Sequence, residues 1–212
     1  MDKTNNGMFI TFEGPEGSGK TTQINQLDSY LSEMGYSVVS TREPGGTGVG
    51  CSIREILLNP DLPPIQTRTE LLLFLADRAQ HVQEVILPSL AMGKIVLCDR
   101  YTDSTVAYQV GGRDFSEELI VTLNEFSSYS VVPDLTFMLD VDYKIGIKRA
   151  TRNFADRFEK EKKSFHDKIR KKYHEIAKNN PDRMVVIDTT VKSIVDIQDI
   201  IRSIITEKKI LR

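Results

Sequence analysis

The chain is poor in cysteine: Cys51 and Cys98 are its only two in 212 residues. Two cysteines make neither a disulfide framework nor the paired spacing of a zinc site. Cys98 lies in the apolar run IVLC and reads as a buried thiol, and a reducing cytoplasm is the expected compartment. No apolar run reaches the roughly 20 residues that cross a bilayer, and the N-terminus lacks the pattern of a secretory signal, so no membrane partner is expected. Residues Met1–Gly7 read as a polar, frayed leader. Internal repeats, low-complexity tracts and linkers are missing too, so residues 1–212 read as one domain.

Charge is nearly balanced, with 28 Lys and Arg against 30 Asp and Glu, but it is unevenly spread. Residues 144–183 hold 14 basic and 6 acidic side chains, a local excess of 8. Such a segment suits bound phosphates, an anionic surface or a solvated helix face. Few aromatics are interleaved, which argues against a nucleic-acid surface.

Five short runs, MFITFE, YSVVST, KIVLCD, DLTFMLDV and RMVVID, are rich in Val, Ile and Phe and nearly continuous rather than alternating. Strands covered on both faces by helices have this character. Helical patterns lie between them, over Lys20–Met34, Ser52–Leu58, Thr67–Met92, Glu117–Tyr129, Tyr143–Arg152, Phe158–Lys178 and Ile194–Lys208, with loops at Pro60–Pro64 and Gly111–Arg113. The alternation predicts an α/β protein with a parallel sheet.

The stretch GPEGSGKT, Gly14–Thr21, matches G-x-x-x-x-G-K-[ST] between a predicted strand and a predicted helix. Its glycines let backbone N–H groups converge on phosphate oxygens, and the helix N-terminus adds about half a positive charge. Lys20 is placed for the β- and γ-phosphates of a nucleoside triphosphate, and the Thr21 hydroxyl for Mg²⁺. The ATP site is therefore expected over Gly14, Pro15, Glu16, Gly17, Ser18, Gly19, Lys20, Thr21 and Thr22. Asp99 ends the predicted strand KIVLCD and is the matching metal-shell acid; a helix cap is the alternative. Glu16 poses a question, because a loop that grips anions here carries its own anion.

Three clusters could clasp a second nucleotide. Phe74 and Arg78 are four residues apart on one helix face, where one could stack on a base and the other donate to it; Phe74 could equally be core. Arg100 follows the metal acid and suits an acceptor phosphate, with Thr105, Tyr108 and Gln109 one or two turns on. Glu43 leaves the second strand at its C-terminal end, and Arg54 lies on the next helix; these two could bind ligand or pair with each other. Nothing matches the N-K-x-D guanine reader of switch GTPases.

The motifs FEGPEGSGKTTQ, TREPGGT followed by IREILL, FLADRAQH, VLCDRYTDSTVAYQ and DRFEKE together resemble thymidylate kinase, from Phe9 to about Ile205. The resemblance implies a three-layer P-loop nucleoside monophosphate kinase fold with a five-stranded parallel sheet flanked by helices. It also implies transfer of the γ-phosphate of ATP to dTMP with Mg²⁺, and a homodimer, for which the run Thr67–Met92 is the expected contact. By the same resemblance Phe74 stacks on thymine, Arg78 bonds its O4, and Thr105 and Gln109 meet the base edge. Tyr108 lies under the deoxyribose, Arg54 and Arg100 hold the acceptor phosphate, and Glu43 lies beside it. Glu16 then accepts a hydrogen bond from the acceptor's 3′-hydroxyl, which answers the question of the anion in the loop.

Phosphoryl transfer rests on in-line positioning and positive charge around the transferring group. Some thymidylate kinases carry an arginine for this in the phosphate loop, but the matching residue here is Gly17. The run IKRATRNFADRFEKEKKSF resembles the bacterial type of lid, about residues 149–160, in which Arg152 is the first choice and Arg149 or Arg157 the second. Catalytic roles are therefore expected for Lys20, Arg100, Arg152 and Arg157. Residues 153–156 are the expected mobile tip, and Lys160, Lys162 and Lys163 a solvated face. His81, His166 and His174 lie near no motif that needs a base, so none is assigned. Cys51 stands where the family commonly has an acid. A kinase of another (deoxy)nucleoside monophosphate, or a non-catalytic ATP-binding regulator, is the alternative reading.

Overall fold

A computed structural model of the chain describes residues 7–150 and 156–208. Its sheet has five parallel strands, β1 (Met8–Glu13), β2 (Val38–Arg42), β3 (Ile95–Asp99), β4 (Leu135–Asp140) and β5 (Met184–Asp188), in the order β2-β3-β1-β4-β5. Each strand lies inside the run predicted for it except β2, which continues one residue beyond YSVVST to Arg42. The central strands are the continuous apolar ones and β4 is buried throughout, whereas the edge strands β2 and β5 keep exposed positions.

One face is covered by α1 (Lys20–Glu33) and α9 (Ile194–Glu207). Ile24, Leu27 and Leu31 of α1 and Ile197, Ile201 and Ile205 of α9 follow helical spacing and meet Ile10, Phe12, Leu97 and Phe137 of the sheet. On the other face Phe9, Val96 and Cys98 pack under Val82 and Ile86, and Met138 and Met184 pack under α8 (Lys163–Asn179). Sheet and helices form three layers.

The long apolar run is continuous but not uniform. It comprises α3 (Thr67–His81), a π-helical stretch Val82–Ile86 and α4 (Leu87–Ala91), with Pro88 at the start of α4. Helix α2 (Gly48–Leu58) begins four residues before its predicted start, because the Thr47 side chain accepts a hydrogen bond from Gly50 N and caps it. After α5 (Thr102–Thr105), residues Val106–Gly112 form a second π-helical stretch, and Gly111–Arg113 is thus not the simple loop expected. The glycines there serve close approach. A Cβ on Gly112 would come 2.5 Å from the Phe165 ring, and one on Gly111 2.9 Å from Lys172, so α8 rests directly on this stretch.

Helix α6 (Glu117–Ser128) is capped by Ser116, and α7 (Tyr143–Ala150) follows β4. Helix α8 starts at Lys163 rather than Phe158, since the Asp156 carboxylate accepts from Phe158 N and Glu159 N and holds that segment in turns. Gly7 is tied to Leu90 O at 2.9 Å, so the leader is anchored at its last residue.

Candidate active site

Strands β1, β2 and β3 run parallel, in a register that pairs Phe12 and Arg42 with Asp99. Their C-terminal ends therefore bring the phosphate loop, the Arg42–Thr47 turn and the Asp99–Arg100 turn to one edge of the sheet, where open α/β sheets bind ligands. A cleft of about 740 Å³ opens there. Its walls include Glu16–Thr22 and reach Arg54, Phe74, Arg78, Arg100, Thr105, Tyr108 and Gln109 on one side, and Arg149, Lys192 and Ile194 on the other.

The phosphate loop needs glycine where its path is left-handed. Gly14, Gly17 and Gly19 have φ of 130°, 68° and 96°, and Gly19 leads into α1. A Cβ on Gly17 would lie 2.0 Å from the Gly146 carbonyl oxygen of α7. The position at which some relatives place an arginine is closed here both by conformation and by space. The Lys20 ammonium donates to Gly14 O at 3.1 Å and Pro15 O at 3.0 Å. Burial, and then the Arg100 charge, lower its pKa to about 8. Thr21 Oγ1 donates to Asp99 Oδ2 at 2.7 Å, so the two residues expected at the metal stand together.

Arg100 takes a left-handed backbone, with φ of 71°, immediately after β3. Its guanidinium donates to Gly14 O, Ser104 Oγ, Tyr173 OH and Glu16 Oε1, at 3.2 to 3.4 Å. Behind it the Glu13 carboxyl accepts from Tyr101 N, Ser104 and Tyr173, and burial, with Asp103 adding repulsion, pushes its pKa up to about 7. Glu16 accepts from the Tyr108 hydroxyl as well as from Arg100. Burial alone would raise its pKa, but the His166 ring, Arg100, Tyr108 and Lys20 outweigh burial and hold it at about 2. Its Oε2 is buried and has no hydrogen-bond partner, with His166 Nδ1 3.6 Å away. His166 thus lies against the loop acid, a proximity that sequence spacing did not reveal.

On the acceptor side Glu43 pairs with Arg78 at 2.8 Å and His81 at 2.9 Å, while Arg54 donates to Pro44 O. The pair Glu43–Arg54 does not form. Arg78 also donates to Thr105 Oγ1 and Asn124 Oδ1. Phe74 lines the cleft and packs on Phe158, 5.9 Å between centroids, so it is wall and not sealed core. Gln109 is buried and donates to Glu70 at 3.0 Å. Arg157 is engaged away from the phosphate loop, by Glu70 at 2.8 Å and the Leu57 carbonyl. Arg149 lines the cleft and donates to the Thr189 and Thr190 carbonyls. Arg152 and residues 153–155 lie outside the described residues. Lys160, Lys162 and Lys163 are exposed, as expected.

Sequence reasoning missed Arg42, Ser104, Lys192 and Ile194 in the cleft wall. Arg42 directly follows the predicted strand YSVVST, and that position was the signal that could have found it; the Lys192–Ile194 turn carries no local signature. Cys98 is a buried thiol, whose pKa burial raises, and Cys51 is exposed with Sγ 3.5 Å from Gly45 O. Among the described residues, no group of three or more His, Cys, Asp or Glu could cage a cation, and no helix is long and apolar enough to cross a membrane.

A parallel three-layer sheet, a phosphate loop and a facing cleft with its own arginines define a P-loop kinase of the nucleoside monophosphate class. A family model for thymidylate kinase matches residues 12–201. Thymidylate kinases of Pelobacter propionicus and Solidesulfovibrio magneticus are each 50% identical over 189 residues, covering 86% and 85% of this chain and 86% and 90% of theirs. A crystal structure of thymidylate kinase from Ehrlichia chaffeensis superposes with a TM-score of 0.78 at 39% identity, over 95% of this chain and 99% of that one. The chain belongs to the thymidylate kinase family and is an ATP-dependent kinase that phosphorylates dTMP to dTDP.

Proposed function

We propose that the two ends of the cleft hold ATP and dTMP head to head, with Glu16 as the element that aligns them. The observation that carries this reading is the Glu16 carboxylate, which is ionised and lines the cleft: Tyr108 and Arg100 hold Oε1, while the buried Oε2 has only His166 beside it, at 3.6 Å and beyond hydrogen-bond distance. A sugar hydroxyl would supply this carboxylate with a donor at hydrogen-bond distance, and a buried acceptor left without one costs about 1–3 kcal/mol. The loop amides from Gly14 to Thr22 and Lys20 would bind the triphosphate. Arg54 and Arg100 would hold the acceptor phosphate beside Glu43, and Phe74, Arg78, Thr105 and Gln109 the base, with Tyr108 against the sugar.

Thr21 and Asp99 suit Mg²⁺ that is carried mainly by phosphates and water; when bound it would neutralise charge building up between donor and acceptor. A lid arginine would add positive charge at the transferring group. Arg152 remains the first choice, and Arg149 and Arg157 the alternatives. The acceptor phosphate is itself an anion and needs no general base. A homodimer built on the α3 run, in a reducing cytoplasm, is consistent with exposed Leu72 on α3 and with two free cysteines.

Turnover against dTMP, dUMP, dCMP, dGMP and UMP tests the acceptor assignment. We expect dTMP to lead in kcat/KM; a preference for another acceptor by more than about tenfold, about 1.4 kcal/mol of transition-state free energy, would refute it.

A further inference from the structure

The geometry points to Glu70 as the residue that sets which way the Gln109 amide faces, and so which pyrimidine the acceptor pocket takes. Glu70 lies on α3 and is buried, although no ligand role falls to it. Four protein donors converge on its carboxylate: Gln109 Nε2 at 3.0 Å, Arg113 Nε and Nη2 at 3.1 and 3.2 Å, and Arg157 Nη1 at 2.8 Å. A carboxylate paired with two guanidinium groups only accepts hydrogen bonds. The Gln109 amide must therefore turn its NH₂ to Glu70, whatever else surrounds it, and present its carbonyl oxygen elsewhere. That oxygen, Oε1, is buried and has no partner in the protein, and Gln109 lines the cleft beside Arg78 and Thr105.

On this reading a bound base would meet Gln109 Oε1 as acceptor and the Arg78 guanidinium, which Glu43 clamps, as donor. A base edge that satisfies both offers an N–H next to a carbonyl, which is the imide edge of thymine or uracil. Cytosine offers the reverse, a ring nitrogen acceptor beside an amino donor. Each would leave a buried polar group unpaired, and buried polar mismatches discriminate strongly. Glu70 touches no part of this edge and acts through Gln109, as a positioning residue.

The inference rests on the assignment of dTMP as acceptor, and the test separates the two. The wild-type enzyme is assayed first for kcat/KM with dTMP and dCMP; no preference for dTMP would overturn the acceptor assignment itself. Given that preference, Glu70→Gln supplies an amide that can donate as well as accept, and frees Gln109 to flip. The dTMP to dCMP ratio should then fall at least about tenfold. Arg113→Met removes another Glu70 partner but leaves the lock on Gln109, and should keep the ratio within about threefold. An unchanged ratio in Glu70→Gln, or an equal fall in Arg113→Met, overturns the inference. If Glu70→Gln does not fold, the wild-type complex decides. The imino proton of ¹⁵N3-labelled dTMP should be protected from exchange by its bond to Gln109, and rapid exchange would overturn the assignment.

Discussion

Lys20 shows how the loop's charges depend on one another. Its pKa is lowered to about 8 by burial and by Arg100, so near pH 8 about half of the population lacks the proton. Anionic phosphates favour the ammonium and would raise the folded-state value again. Nucleotide binding at pH 8 should therefore take up about half a proton, and clearly less at pH 7, where the amine is already charged. Calorimetric titration of ATP in buffers of different ionisation enthalpy reads this directly; equal enthalpies in all buffers at pH 8 would rule it out. Before ligand binds the sign is opposite: because the folded value lies below the unfolded one, burying Lys20 costs least above the unfolded pKa near 10.5, and the cost grows as pH falls toward about 8.

At this scale the sequence was legible wherever chemistry is local. Glycine spacing, Lys20 and Thr21 lie within eight residues, and the Thr21–Asp99 pairing needs only two neighbouring strands. What could not be read was partner choice among distant polar residues. Glu43 could face Arg54 or Arg78, and it selects Arg78 and His81 because α3 passes under the β2 turn. His166 comes to Glu16 from 150 positions away, by a helix whose packing only the tertiary structure decides.

Elements explain why the phosphate loop has the sequence it has. Gly17 combines a left-handed backbone with a near contact to the Gly146 carbonyl of α7. Gly17→Ala should cost about 2–5 kcal/mol from conformation and overpacking together, seen as a lower urea midpoint, and should weaken ATP binding. A midpoint within error of the wild type would show that α7 yields. Helix ends were read less well than helix existence. The start of α2 was missed because Thr47 caps from a glycine-rich stretch that looks like loop. The start of α8 was placed too early, because Phe158 and Phe165 continue an apolar pattern that Asp156 interrupts with turns. The π-helical turn at Val106–Gly112 was invisible, since its glycines answer to Phe165 and Lys172 on another helix.

For the whole molecule, strand order does most to make the site, by aligning three strand ends at one edge. The five apolar runs and the βαβ rhythm implied five strands in a parallel sheet, and the family resemblance implied the three layers. The outer surface carries the remaining expectation. Leu72 on α3 is 61% exposed, and on the neighbouring α6 Leu119, Val121 and Phe126 are exposed too. If this face joins two copies, Leu72→Glu should convert a dimer of about twice the 24.0 kDa chain mass to a monomer in sedimentation equilibrium. A wild-type protein that sediments as a monomer, or a variant that stays dimeric, would move the contact elsewhere.

Phe165 and Lys172 of α8 sit so close on Gly111 and Gly112 that no methyl group fits between. The same stretch carries Tyr108 and Gln109, and the same helix follows the turns of residues 156–162. A seam without slack ties these together: any tilt of α8 would have to carry with it the stretch that bears Tyr108 and Gln109. On that account a nucleotide in one half of the cleft would alter the fit of the other half, and dTMP affinity measured with and without a non-hydrolysable ATP analogue would differ.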